Sequence, residues 1–548
     1  MTDEPDTPAD PLDTALAGGV DGPSALDTAL AGGVDGPSAL GPLVEVALAA
    51  LRDGALMRGG PLPAGAPTRT ARAIAAATGG QLLPDRGTGA PAALAALATE
   101  LAAGTADPAD PHCAGHLHCP PLAVAVAAEL VAAALNPSLD SWDQGPSATA
   151  LEPLVIATLS ELVGYPAADG TAGVVTTGGT ESNLMGLLLA RDAAVLRATG
   201  STAGTVGLGA VGSRLRYFCS EIAHFSIRRN AALLGLGEEA VVPVPVDRAY
   251  RMDPAALADR LAAIVRAGGL PAAVVATAGS TDFGSIDPLP AIAETAARYR
   301  TWLHVDAAYG GAALFSDRLA GLLDGLHRAD SIALDLHKLG WQPVAAGAFL
   351  TADPAALAPL AQRVAYLNPA DDETAGYPSL LGHSLRTTRR LDAFKLAVTF
   401  RALGRQGMGA LVDACHDLAR YAAARIAADP DLELAADPVL TTVVFRYRAG
   451  VRSSRVNAAL RRRLLVDGSA VVGRTDVADA VWLKLTLLNP HATTADVDAL
   501  LDLVIRAGAA ERRSAAQQQT GARRAGTAAP DAVAPRASTS DIPEEANR

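Results

Sequence analysis

From residue 173 onward the chain repeats one pattern: a short apolar run, a turn, then a helical stretch. Gly173-Val-Val-Thr-Thr177 runs into Gly178-Gly179 and a helical Thr180–Ala190. Further apolar runs follow at Arg216–Cys219, Ala273–Thr277, Thr301–Val305 and Ser331–Leu334, with helical segments such as 254–267 and 288–299 between them. Strands that are apolar on both faces need cover on both, and helices lying between parallel strands supply it. The expected core is therefore a mostly parallel α/β sheet. Ligands of such sheets bind beyond the carboxyl ends of the strands, so the residues that follow each run are the candidates for chemistry.

Flanking segments complete the layout. Ala/Leu-rich helical stretches broken by Pro and Gly occupy 41–110, and helices over 121–135 and 147–163 lead into the sheet. Beyond about 400 a second, smaller α/β pattern appears: a helix near 409–428, strands at Thr441–Phe445 and Ala480–Leu485, and a closing helix at 493–507. The expected division is a leader over 1–40, a helical segment over 41–110, a large domain over 111–400, a small domain over 401–510 and a tail over 511–548. The leader holds a perfect tandem repeat, Leu12–Ala25 recurring as 26–39. Two copies of a Gly/Pro-broken unit are too few for a solenoid. With eight acids and no Lys or Arg, the leader is expected to be disordered, as is the tail.

The leader also accounts for most of the net charge of −13. The remainder has no basic block suited to a phosphate backbone, so nucleic acid is not an expected partner. Four cysteines in 548 residues do not suggest a disulfide framework. The N-terminus lacks the basic and apolar regions of a secretory signal. The apolar stretch Pro120–Pro137 is interrupted by Glu129 and too short to span a bilayer comfortably. A cytoplasmic location and no membrane partner are expected. His112, Cys113, His116, His118 and Cys119 lie close together, but no second Cys/His cluster completes a closed site, so no metal is expected. Gly207-Leu-Gly-Ala-Val-Gly212 has dinucleotide-type spacing yet precedes a strand instead of following one; it is read as a loop.

Among 45 basic residues only Lys338, Lys395 and Lys484 are lysine. Where arginine supplies generic charge, a lysine marks a task a guanidinium cannot do, such as losing a proton and attacking a carbonyl. Lys338 follows the strand Ser331–Leu334, and burial there would favour the nucleophilic amine. Asp335 and His337 flank it. The turn Thr176-Thr-Gly-Gly-Thr-Glu-Ser-Asn183 presents a helix start with free N–H groups, an anion site, although Thr180 would also serve as a simple cap. Asp306 ends another strand and reads either as a crevice carboxylate or as a cap. His224 follows a third strand, where a structural histidine is the competing reading. Taken together, the lysine, anion turn, carboxylate and histidine match the needs of pyridoxal phosphate: an amine for its aldehyde, a helix start for its phosphate, and an acid to keep its ring nitrogen protonated.

Over about residues 41–507 these motifs, in this order, resemble the group II pyridoxal-phosphate-dependent amino acid decarboxylases. That family includes aromatic amino acid, glutamate, diaminobutyrate and siderophore-pathway lysine decarboxylases. The resemblance implies a fold-type-I transferase-like architecture. It implies that Lys338 is the Schiff-base lysine, Asp306 pairs with the ring nitrogen, His224 stacks on the ring and Ala308 lines its other face. Gly179, Thr180 and His337 would contact the phosphate, with Asp335 in the cofactor-binding set and Ser280 and Thr281 near the cofactor and substrate carboxylate. Tyr366, in Val364-Ala-Tyr-Leu-Asn-Pro369, matches a mobile-loop tyrosine that protonates the substrate carbon after CO₂ leaves. His116, His118 and Trp142 match the substrate-side wall. With Ser384–Arg390 they look most like the diamine-forming branch. The family's usual aromatic after the lysine is Leu339 here, with Trp341 two positions on. The expected reaction is decarboxylation of L-2,4-diaminobutyrate or L-lysine, in diamine or siderophore-type metabolism, by a homodimer with active sites at the interface. A tyrosine-type aromatic decarboxylase or another fold-type-I enzyme, such as an aminotransferase, is the alternative. The run Asp371-Asp-Glu373 would attract a cationic substrate tail or serve as a solvated loop charge.

Overall fold

The computed structural model describes residues 29–166 and 172–526. Most of the expected leader and the end of the tail lie outside the described residues. Helix α1 (Gly36–Arg58) opens inside the second repeat copy, with a proline at its first turn and a left-handed Gly59 closing it. The leader expectation is thus corrected for residues 36–40: Pro37 is preorganised for a helix start, and the Ala/Leu run behind it propagates the helix. α2 (Pro67–Ala77) and α3 (Ala90–Gly104) follow, and α3 packs on α1. After the short β1 (Cys113–Ala114), α4 (Ala123–Leu135) and α5 (Pro146–Leu162) lead to the main sheet.

That sheet comprises β2 (Ala172–Thr176), β3 (Leu215–Ser220), β4 (Val241–Val244), β5 (Leu270–Thr277), β6 (Trp302–Ala307), β7 (Ser331–Asp335) and β8 (Gly347–Thr351). Their spatial order is β2-β8-β7-β6-β5-β3-β4. Only β8 opposes its neighbours; it pairs antiparallel with both β2 and β7. Strands β2, β7 and β8 are buried along their whole length. One face is covered by α5 and the helices Pro254–Arg266 and Leu289–Arg298, around Leu159, Val274 and Ile292. The other is covered by α6 (Gly179–Thr199) and Ser226–Leu233, around Leu187, Tyr217 and Ala231. Each large aliphatic side chain removed from water here contributes about 1.5–3 kcal/mol. The Gly207–Gly212 segment, expected as a loop, contains a four-residue helical turn over Gly209–Gly212, still ahead of β3.

The second sheet orders β1-β11-β12-β10-β9, from β9 (Leu432–Leu434), β10 (Thr442–Tyr447), β11 (Val471–Val477) and β12 (Ala480–Thr486). α7 (Ala393–Ala428) is two helical arms joined at Gly404, whose φ 64° and ψ 177° are not helical, and α8 (Ser453–Val466) and α9 (Thr494–Gly526) cover this sheet with it. α9 runs past 511, where a disordered tail was expected. Arg512 reaches Asp431 at 3.2 Å and lies over the Tyr447 ring, and Glu511 pairs with Arg463 at 3.3 Å. These contacts tie the extended helix to the sheet. Among the described residues no helix is long and apolar enough to cross a membrane.

Candidate active site

The carboxyl ends of the parallel strands converge on one cavity of about 310 Å³. β7 delivers Asp335 and then a tight turn carrying His337 and Lys338. That turn is anchored by Leu336 N–H on the Ala346 carbonyl (2.7 Å) and by the buried Trp341, whose Nε1 donates to the Leu488 carbonyl at 2.8 Å. Lys338 is half-buried, its Nζ 2.9 Å from Asp335 Oδ2. Burial raises the Asp335 carboxyl above its ordinary pKa, opposed by Lys338 and His337. Burial lowers the pKa of His337, whose Nδ1 accepts from the Ala346 N–H at 3.3 Å.

β6 delivers Asp306. Its Oδ2 accepts from Asn183 Nδ2 at 2.9 Å and its Oδ1 from the Ala308 N–H at 3.2 Å. His224 lies in the loop after β3, with Nδ1 2.8 Å from Ser226 Oγ. Burial lowers its pKa, against the pull of Asp306; the ring is neutral at neutral pH. The turn between β2 and α6 closes the cavity with Gly178, Gly179 and Thr180. Here Glu181 accepts from the Thr177 N–H (2.7 Å) and hydroxyl (2.6 Å), while its other oxygen binds Arg386 Nε at 2.9 Å.

Lys338, Asp306, His224, Ala308, Gly179, Thr180, His337, Asp335 and Thr281 thus line a single cavity. The remaining expected residues do not. Ser280 Oγ is engaged by Ser285 Oγ at 2.6 Å and is absent from the lining. Tyr366 is 82 % exposed and borders a separate hollow with Leu385 and Arg386. His116 and His118 are exposed, and Trp142 packs edge-on against Tyr377 at 5.1 Å. Asp371–Glu373 form a short exposed or half-buried helix, where Glu373 pairs with Arg363 at 3.0 Å. Within this chain none of these residues is part of the cavity lining.

The sequence reading missed Asn183, Ser226 and His304. The last had a signal: residues two apart on a strand share a face, so His304 and Asp306 point the same way from β6.

The cavity fits a phosphorylated pyridine aldehyde. It offers one amine, a carboxylate opposite a helix start, and two lining polar atoms, Asp335 Oδ1 and Thr277 Oγ1, that are buried without a partner among the described residues. Its floor is cut to shape at Gly179, where an added Cβ would lie 2.9 Å from Ala308 Cβ and 3.0 Å from Asp335 Oδ2.

Comparison with known proteins agrees. The family described as the pyridoxal-dependent decarboxylase conserved domain matches residues 83–448. An L-2,4-diaminobutyrate decarboxylase of Rhizobium meliloti (strain 1021) is 42 % identical over 425 residues, which is 77 % of this chain and 83 % of the relative. A second L-2,4-diaminobutyrate decarboxylase, from Acinetobacter baumannii, is 40 % identical over 407 residues, covering 72 % and 79 %. Among solved structures, the glutamate decarboxylase domain of diaminobutyrate-pyruvate transaminase and L-2,4-diaminobutyrate decarboxylase from Vibrio parahaemolyticus superposes with a TM-score of 0.79. It is 32 % identical, and the match covers 88 % of this chain and 98 % of that one. The chain therefore belongs to the pyridoxal-dependent decarboxylase family, and it is a pyridoxal 5′-phosphate-dependent amino acid decarboxylase.

Proposed function

We propose that this decarboxylase acts on a basic L-amino acid, with L-2,4-diaminobutyrate the first candidate and L-lysine the second. The two relatives at 42 % and 40 % identity support the first choice. The observation that carries the catalytic reading is the convergence of Lys338, Asp306, His224 and the β2–α6 turn on one cavity. In this reading Lys338 anchors the cofactor's aldehyde, the α6 start with Gly179, Thr180 and His337 holds its phosphate, and Asp306 faces its ring nitrogen. His224 and Ala308 take the two ring faces. When bound, the cofactor supplies a protonated ring that accepts the electron pair of the breaking bond between Cα and the carboxylate.

The chain's own groups do the rest. Asp306 is held in place by Asn183 and the Ala308 N–H, where it would face the ring nitrogen. Lys338, paired with Asp335 Oδ2 at 2.9 Å, would leave that partner to hold the aldehyde. Lys338 and His224, both in the cavity lining, are the groups assigned to move a proton at the substrate carbon. Tyr366 takes that role when the exposed segment bearing it moves in or a second subunit supplies it. A homodimer is part of this proposal. It is supported by large apolar side chains left exposed on α1 (Leu48, Leu51, Leu56, Met57) and α4 (Val126, Leu130, Leu135). A cytoplasmic location belongs to the same proposal.

The test is a substrate panel: L-2,4-diaminobutyrate, lysine, ornithine, tyrosine and glutamate, with the released amine identified by mass. Diaminopropane as the dominant product supports the proposal; tyramine as the dominant product, or a keto acid instead of an amine, refutes it. Borohydride reduction of the native enzyme should place the pyridoxyl label on the Lys338 peptide.

A further inference from the structure

Beneath Asp306 lies a chain of polar groups whose proton directions are fixed by its two ends. Trp302 Nε1 can only donate, and it lies 2.9 Å from Ser331 Oγ. Ser331 Oγ is 2.8 Å from His304 Nδ1, and His304 Nε2 is 2.9 Å from Asn183 Oδ1. Asn183 Nδ2 faces Asp306 Oδ2 (2.9 Å) and Ser226 Oγ (3.1 Å). An ionised carboxylate only accepts, so the amide nitrogen of Asn183 must face it and the amide oxygen must face His304. His304 then carries its proton on Nε2. Its Nδ1 accepts from the Ser331 hydroxyl, whose lone pair receives the indole N–H of Trp302. His304 is fully buried and held neutral, its pKa pushed down to about 4 by burial.

The same amide reaches the second cavity residue. The other N–H of Asn183 goes to Ser226 Oγ, leaving the Ser226 hydroxyl proton for His224 Nδ1 at 2.8 Å, where the Ser226 backbone N–H also points (3.3 Å). His224 Nδ1 is therefore a lone pair, and its proton sits on Nε2. Gly186 leaves the space for His304: a Cβ there would come within 2.5 Å of Nδ1.

We propose that Asn183 and His304 are positioning residues that hold Asp306 as an oriented acceptor and, through Ser226, set His224 in its Nε2–H form. One amide thereby fixes both the charge seat and the proton inventory of the cavity. This rests on the reading that Asp306 and His224 face the cofactor ring. Glutamine at position 304 keeps an N–H directed at Asn183; leucine at position 183 removes both branches while keeping the same branched heavy-atom outline.

The experiment uses the holoenzyme. With ¹⁵N-labelled histidine, and His224 and His304 resonances assigned through His224→Gln and His304→Gln, the wild type should show both rings protonated at Nε2. Asn183→Leu should shift His224 to a mixture of tautomers. It should also release cofactor about 10–100-fold more readily, the factor expected for a lost hydrogen bond to a charged group, and lower kcat by a similar factor with KM little changed. His304→Gln, which keeps a donor toward Asn183, should lose less cofactor than Asn183→Leu. A wild-type His224 or His304 protonated at Nδ1 overturns the proposal, and needs no variant to fold. So does an Asn183→Leu enzyme with wild-type cofactor retention and kcat. Asp306→Asn separates the two levels. If it weakens cofactor binding while Asn183→Leu does not, the relay is wrong and the site assignment stands. If Asp306→Asn is itself without effect, the seat assignment falls and takes that half of the proposal with it.

Discussion

Arg389 and Glu152 form an ion pair in the interior whose removal should be costly in a calculable way. Arg389 Nη1 lies 2.6 and 2.9 Å from the two Glu152 oxygens, and both side chains are at most 3 % exposed. At an effective dielectric of about 20 the attraction is roughly 6 kcal/mol, most of which offsets the loss of hydration. Truncating one partner leaves the other charge stranded, so Arg389→Met should destabilise by about 3–5 kcal/mol. Glu152 sharpens the expectation. Burial raises its carboxyl pKa and Arg389 is the main opposing influence, so in the variant the folded-state value rises further. A raised acid binds more protons folded than unfolded. Its contribution is fully present below the unfolded carboxylate range, near 4.3, and is lost as pH rises through the folded value. The deficit of Arg389→Met should therefore be largest at pH 7 and shrink toward pH 5. The double variant Arg389→Met/Glu152→Leu should recover most of the loss. The assay is the urea midpoint followed by tryptophan fluorescence, with cofactor held in constant excess. A loss below about 1 kcal/mol, a deficit indifferent to pH, or a double variant as weak as the single would refute the reasoning.

Gly179→Ala should place a methyl against Ala308 and Asp335 and weaken cofactor binding about 10–100-fold, measured by equilibrium titration of the apoenzyme, with little change in global stability. His304, neutral when folded with its pKa pushed to about 4, binds fewer protons than it does unfolded. Stability should fall as pH drops below about 6.5, by roughly 2 kcal/mol from this group at pH 5, and His304→Gln should flatten that limb of the denaturation profile. Tyr366→Phe should slow amine formation while leaving cofactor absorbance intact; an unchanged rate, followed by amine and CO₂ together, would remove Tyr366 from the reaction.

The main sheet was legible because both of its faces are buried, so its strands read as apolar runs, and the cavity followed from asking what stands at their ends. β4 was missed because Pro243 demotes Val241-Val-Pro-Val244 as a strand; it occupies the sheet edge, where a missing N–H is tolerated. β8 was missed because Gly347-Ala-Phe-Leu-Thr351 is short, opens on Gly-Ala and carries no clear alternation. The helix expected near 409–428 is the second arm of α7: Gly404, at φ 64° and ψ 177°, breaks the helical path, and a first arm from Ala393 precedes it. His116, His118, Trp142 and Tyr366 came from resemblance alone. No local periodicity says whether a loop residue faces its own cavity, and in this chain they do not.

β8 has one more consequence. Its first residue, Gly347, stands in register between Thr176, which ends the strand before the phosphate-type turn, and Asp335, which ends the strand before the lysine turn. An added Cβ there would strike Thr176 Oγ1 at 2.4 Å and Gly178 Cα at 2.5 Å. The strand thus works as a gauge block, setting the span between the lysine turn and the proposed anion cradle by backbone pairing instead of by side chains. Cofactor variants whose aldehyde-to-phosphate length differs should meet a frame that does not stretch.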